Sequence, residues 1–179
     1  VPLVCDPVLL YDGSAFRAEV KPINKPYMIV YSYDRNMVLP EEINGIKAYA
    51  KENGLLTVSL GTYHAWCDRN IVCNALEWYA YFKDAACVVT DTFHGAVVGM
   101  KNHCNLVVYV RENINKFKLL SLLEETGLSY RRLPDLSKAS LENITSMPIA
   151  YEETDRRIET MIKRSGTYLE EALQGIHGQ

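Results

Sequence analysis

From Pro26 onward the chain alternates short apolar, β-rich runs with longer amphipathic stretches. Few architectures accept that alternation other than βα units wound on a parallel sheet. Tyr27-Met28-Ile29-Val30-Tyr31-Ser32-Tyr33 reads as a first strand, and Pro40-Glu41-Glu42 opens a helix that Gly54 closes. Proline suits the first helical position and the two acids suit the positive end of the helix dipole. Leu55-Leu56-Thr57-Val58-Ser59-Leu60 is nearly all apolar, as expected where helices cover both faces of a sheet. A polar loop from Gly61 to Arg69 follows. Residues 74–84 place Ala75, Leu76, Tyr79 and Phe82 at helical spacing. A third strand, Ala86–Thr90, then runs into the turn Thr90-Asp91-Thr92-Phe93-His94-Gly95, with a short helix over Ala96–Met100. Asn105–Val110 gives a fourth strand and residues 116–126, ended by Gly127, another helix. Residues 129–148, broken by Pro134 and Pro148, read as a connecting region. Asp155–Leu173 reads as a long helix burying Ile158, Met161, Ile162, Leu169 and Leu173, weakened at Gly166.

The expected fold class is therefore α/β: a Rossmann-like open parallel sheet with helices on both faces, spanning residues 26–179. Residues 1–25 stand outside the alternation and read as a hinge segment leading into the domain. A chain of 179 residues with 48% hydrophobic content supports one buried core, since a domain of this size hides roughly 70% of its unfolded surface. Nineteen basic and 22 acidic residues are dispersed along it, for a formal charge of −3. That balance argues against a nucleic-acid or anionic-membrane surface. The five cysteines include no C-x-x-C pair, which points away from a disulfide framework or zinc ribbon and toward a reducing cytoplasm. No apolar run reaches a membrane span, and Val1-Pro2-Leu3-Val4 lacks the regions of a signal peptide. The Asn143-Ile144-Thr145 triplet thus has no secretory context. The start without methionine is read as a fragment of something larger.

Ligands of open parallel sheets bind beyond the carboxyl ends of the strands. Four loops lie there: Asp34-Arg35-Asn36, Gly61-Thr62-Tyr63-His64, Asp91-Thr92-Phe93-His94-Gly95 and Arg111-Glu112-Asn113. His94 is the leading candidate, because a histidine in a strand-to-helix turn can exchange a proton near neutral pH beside amides that favour an anion. Gly95 permits a close backbone approach. The alternative is that Asp91 and Thr92 cap the helix while His94 makes a structural hydrogen bond. His64, with Tyr63, Trp66 and Arg69, suits a wall for a sugar or base, or else a packed cover. Arg111 and Arg35 suit bidentate contact with phosphate or carboxylate, or else ion pairs, Arg111 with Glu112 or a nearby acid and Arg35 with Asp34. His103 and His177 receive no role. With no H-x-H, D-x-D or cysteine cluster, no metal is expected.

The Asp91-Thr92-Phe93-His94-Gly95 turn after an apolar strand, the early Cys5-Asp6-Pro7-Val8-Leu9-Leu10, and Arg111-Glu112-Asn113 before a helix ending Thr126-Gly127-Leu128 together resemble the polysaccharide pyruvyl transferase family. The resemblance spans roughly residues 3–130. It implies a two-domain architecture similar to GT-B glycosyltransferases, of which this chain is the C-terminal half, with the active site in the cleft between halves. The implied activity moves the pyruvyl group of phosphoenolpyruvate onto two hydroxyls of a glycan or lipid-linked sugar, giving a ketal and phosphate without a cofactor. His94 maps onto the family's acid or base. One branch of the family has arginine and leucine where this chain has Thr92 and Phe93, so Arg111, Arg35 or the other half is expected to supply the charge. A GT-B-like glycosyltransferase using a nucleotide-sugar and a non-catalytic sugar-binding domain remain as alternatives.

Overall fold

The computed structural model describes residues 4–10, 18–112 and 116–177. Val1, Pro2, Leu3 and Asn113 lie outside them. Among the described residues, six parallel strands form one open sheet: β1 (Tyr27–Tyr31), β2 (Leu56–Leu60), β3 (Arg69–Ile71), β4 (Cys87–Thr90), β5 (Leu106–Tyr109) and β6 (Arg132–Leu133). Their order is β3-β2-β1-β4-β5-β6, and every neighbouring pair is parallel. The α/β, Rossmann-like open sheet expected from the alternation is therefore the fold.

Each of the four longer strands, β1, β2, β4 and β5, buries both faces, and the alternation of side chains sorts them between two helical layers. Met28, Val30, Cys87, Val89 and Val107 pack on Ile46, Tyr49 and Ala50 of α1 (Pro40–Glu52) and on Leu141 and Ile144 of α5 (Lys138–Thr145). Ile29, Val58, Leu60, Val88, Leu106 and Val108 face the opposite layer. That layer comprises α2 (Ala75–Phe82), α3 (Phe93–Lys101), α4 (Lys116–Glu125) and α6 (Tyr151–His177), which contribute Phe82, Val97, Met100, Leu119, Leu123 and Ile158 among others. Two-sided burial is why these strands read as unbroken apolar runs rather than alternating ones. No helix among the described residues is long and apolar enough to cross a membrane.

Three elements depart from the sequence reading. Arg69, expected as the end of a polar loop, begins the edge strand β3, where three residues pair with β2 alone. The region 129–148 contains a 3-10 turn (Ser129–Arg131), the two-residue strand β6, and α5, whose first turn Ser137 caps by accepting from the Ser140 amide at 3.2 Å. Strands of two or three residues are too short to carry a periodicity, so they escape pattern reading. Helix α6 runs from Tyr151 through Gly166 without interruption, and a side chain at Gly166 would meet nothing. The cost of that glycine, about 1 kcal/mol, is one a 27-residue helix absorbs.

Among the described residues before β1, Cys5, Val8, Leu9, Val20 and Ile23 pack in or against the core. A 3-10 turn, Pro7–Leu9, starts at Asp6 and buries Leu9 against the α3 layer, while the Lys101 ammonium donates to the Leu9 carbonyl at 2.8 Å. On the far side of the sheet Arg131 is fully buried. Its guanidinium donates to the Leu106 carbonyl at 2.6 Å, to the Ile144 and Met147 carbonyls at 2.5 and 2.9 Å, and to the Asn105 amide oxygen at 2.5 Å. One planar fork thus ties β5 to the carboxyl end of α5.

Candidate functional site

The chain runs outward from β1 to β2 and β3 on one side and through β4, β5 and β6 on the other, so strand order reverses between β1 and β4. Loops diverge above that point and leave a crevice at the carboxyl ends. Here Tyr31 is in register with Thr90, and the Thr90 hydroxyl donates to the Tyr31 carbonyl at 2.6 Å. Its proton is spent there, so the contact of 3.0 Å between the Thr90 and Thr92 hydroxyls is donated by Thr92. Thr92 Oγ1 in turn accepts from the Gly95 amide at 3.0 Å and caps α3.

The helix starts at Phe93, earlier than the sequence suggests, which moves His94 from a turn into the first turn of α3. Its imidazole is 57% exposed at this edge, with Nε2 lying 3.7 Å from Asp6 Oδ1. Asp6 is held by the Val8 amide at 3.2 Å and by Lys118 Nζ at 2.8 Å. Burial alone would raise the Asp6 carboxyl, but Lys118, the Val8 amide and His94 outweigh it and hold the group below the ordinary carboxylate range. Lys118 also lies 4.0 Å from the centre of the Phe93 ring, and Phe93 meets His94 edge-on. Aspartate, histidine and lysine from three separate elements therefore converge on the amino end of α3. Asp6 and Lys118 were not among the expected site residues, because nothing local to them in sequence points to His94.

Gly95 is required by packing at this same point. A Cβ there would sit 2.6 Å from Tyr31 Cδ1 and 2.7 Å from Thr92 Oγ1, and closer still to the Thr90 hydroxyl. The close approach anticipated at this glycine is thus that of α3 to the strand ends. Gly95→Ala is expected to cost about 1–3 kcal/mol through overpacking, seen as a lowered urea midpoint with an unchanged slope, and to push His94 away from Asp6.

Of the two roles considered for Arg111, anion ligand or ion pair with a nearby acid, the structure shows the ion pair, shared between two carboxylates. Its Nε donates to Asp91 Oδ2 at 2.5 Å and Nη1 to Glu42 Oε1 at 2.9 Å. Glu112, the other partner considered, pairs with Lys116. Burial disfavours the Arg111 charge, yet Glu42 and Asp91 prevail, and the guanidinium holds its proton more tightly than a free arginine. Asp91, with no side-chain exposure, also accepts from Ser32 Oγ at 2.6 Å and from Asn36 Nδ2 at 2.9 Å. It organises the rim and has no free face for a ligand. Nη2 of Arg111 is buried without a partner.

His64 is likewise not an open wall, being 2% exposed. Asn70 pins its backbone at both ends, its side chain accepting from the His64 amide and donating to the His64 carbonyl. Trp66 lies 5.8 Å from the ring and donates to the carbonyl of Met37 at 2.9 Å. Burial holds His64 below its ordinary value of 6.5, against the opposing pull of a hydrogen bond to the Ser32 backbone and of Asp91 and Asp34. A ring neutral in the fold but protonated when unfolded stabilises the protein above pH 6.5, and that contribution is lost as pH falls through the depressed folded value. His64→Gln is accordingly expected to flatten the decline in melting temperature on acidification below about pH 6.5.

Gly61, at φ +69, turns the chain out of β2. Arg35 is exposed and has no ion-pair partner among the described residues. Burial pushes the thiols of Cys67, Cys87 and Cys104 up to about 12, which removes them as thiolate nucleophiles. Among the described residues no group of three or more histidine, cysteine, aspartate or glutamate side chains is placed to hold a metal.

Fold and rim together define a Rossmann-type α/β domain with a histidine-centred polar cluster at its switch point. No family model and no curated protein matches the chain. A solved structure to which it is similar is a protein named as a UDP-N-acetylglucosamine 2-epimerase from Listeria monocytogenes, with 13% identity and a TM-score of 0.45. The match covers 75% of this chain and 39% of that one.

Proposed function

We propose that this chain is the C-terminal half of a pyruvyl transferase that joins phosphoenolpyruvate to two hydroxyls of a sugar. The observation that carries the reading is the exposed His94 imidazole on the first turn of α3, flanked by Asp6 and Lys118. Phosphoenolpyruvate bears a carboxylate and a phosphate, and a helix amino end with a lysine and a protonated histidine offers both the field and the donors for them. In this reaction the protonated His94 delivers a proton to the methylene carbon. The first sugar hydroxyl adds to the resulting cationic centre, phosphate leaves, and the second hydroxyl closes the ketal. One hydroxyl proton ends in the new methyl group and the other on hydrogen phosphate, so atoms and charge balance. Asp6 keeps the imidazole oriented, while Lys118 and the exposed Arg35 supply the positive charge that Arg111 has committed elsewhere.

The proposed second half would cover the same edge. Tyr33, Val38, Leu39, Tyr63, Val72, Leu76 and Phe117 are all large exposed hydrophobic residues, and each follows a strand's carboxyl end or opens the helix after it. Apolar groups gathered on one edge are the usual mark of a surface that another domain covers.

A nucleotide-sugar transferase is the second reading, favoured by the strand order itself, since a β1/β4 switch point of this topology is the seat of dinucleotides. Melting shifts with phosphoenolpyruvate beside a panel of nucleotide-sugars separate the two. Under the first reading phosphoenolpyruvate raises the melting temperature, and the complete enzyme releases phosphate only when an acceptor glycan is present. Stabilisation by a nucleotide-sugar alone would replace it with the second.

A further inference from the structure

Lys118 stands where its own helix does not favour it. It lies in the first turn of α4, whose amide dipoles present positive charge, and that turn carries no acidic residue to offset it. The first turn of α3, which bears His94, is likewise without an acid. Two helix amino ends, each with a basic side chain, therefore meet at one place on the carboxyl edge. Such groups do not gather unaided, and the structure shows what holds them: Asp6 and the ring of Phe93.

Asp6 bridges the pair from outside both helices, its Oδ1 lying 3.7 Å from His94 Nε2 and its Oδ2 accepting from Lys118 Nζ at 2.8 Å. Phe93 works from within. Its face carries the Lys118 ammonium 4.0 Å from the ring centre, and the same ring meets the next residue, His94, edge-on with centroids 5.8 Å apart. The negative face of an aromatic ring attracts a cation, and a ring packed against the core, as Phe93 is, gives the ammonium a fixed seat. A lysine 51% exposed is otherwise costly to order, since its long stem gives up rotamer freedom. Seated in advance, it spares an incoming anion that cost. An ammonium has three N–H groups. With Asp6 taking one and the ring face another, the third remains for a ligand.

We infer that Phe93 is a positioning residue: its ring seats Lys118 at a set distance from His94, so that ammonium and imidazole form one grip for a phosphate or carboxylate. Phe93 acts through Lys118 and makes no bond to the anion. The inference rests on the proposed function for the identity of that anion as phosphoenolpyruvate, whereas the seat itself requires only that an anion binds beside His94 and Lys118.

The test is an NMR titration of the chain with inorganic phosphate at low salt, following the His94 ring protons. Phe93→Leu keeps an apolar side chain but removes the ring face, and is expected to weaken phosphate about two- to fivefold, the range of a cation–π contact at an exposed site. Phe93→Tyr should restore the parent affinity. Lys118→Met should weaken phosphate about tenfold, the worth of a hydrogen bond from a charged donor. In that background Phe93→Leu should change nothing further, because the ring then has no cation to seat. Should Phe93→Leu fail to fold, phenylalanine fluorinated stepwise at position 93 keeps the shape while withdrawing charge from the face, and affinity should fall with each fluorine. Equal losses from Phe93→Leu with and without Lys118, or an affinity indifferent to fluorination, would reduce the ring to packing and overturn the inference. A His94 signal that phosphate leaves in place would overturn it too. Failure of the pyruvyl transfer reading is seen separately, as a complete enzyme that keeps the phosphate response but releases no phosphate from phosphoenolpyruvate with an acceptor glycan.

Discussion

His94→Ala is expected to lower phosphate release from phosphoenolpyruvate by about 10²–10⁴-fold in the complete enzyme, the range lost when a positioned acid is removed. Stability should hardly move, because the ring is 57% exposed and its one described ion pair, with Asp6, spans 3.7 Å. A melting temperature equivalent to within about 0.5 kcal/mol of the parent is the expected companion result. Asp6→Asn should fall between the two in phosphate release, since the carboxylate beside the imidazole is gone. Unchanged phosphate release in His94→Ala would mean that proton transfer is carried elsewhere, and the reading of this edge as a catalytic site would fall with it.

The largest effect on stability is expected far from that edge. Arg131→Ala should destabilise the protein by about 3–5 kcal/mol, comparable to breaking a buried ion pair. The reason is the set of acceptors it strands: the carbonyls of Leu106, Ile144 and Met147 and the amide oxygen of Asn105 would all lose their donor inside the core. Arg131→Lys is expected to rescue little of it. An ammonium cannot reach acceptors distributed around a planar fork, and burial already works against the Arg131 charge. Denaturant melts should therefore place Lys close to Ala. A lysine variant as stable as the parent would show that charge rather than geometry holds β5 to α5.

What could be read from the residues follows from how local the cause was. The four central strands were visible because both their faces are buried, which writes an unbroken apolar run into the chain. Strands β3 and β6 were not, since two or three residues carry no period and Arg69 and Arg132 are as much at home in a loop. Helix α5 hid inside a polar stretch because it buries only Leu141 and Ile144. The carboxyl edge was identifiable from topology alone, and with it the neighbourhood of His94. Its partners were not. Asp6, Lys118 and Glu42 reach the site through folding of distant segments, and no spacing records that Arg111 would be met by Asp91 and Glu42 before any ligand. His64 misled for a related reason: a loop rich in aromatic and polar residues looks solvent-facing until Asn70 and Trp66 fasten it down.

Asp91 gathers Ser32 and Asn36 from the loop after β1 and Arg111 from the end of β5, and Arg111 passes the connection on to Glu42 of α1. Such cross-bracing makes the mouth of the sheet a rigid frame, set before any guest arrives. Adjustment to a guest then falls to side chains the frame leaves exposed, such as Tyr63 at 68%. Amide hydrogen exchange should find the braced loops slow.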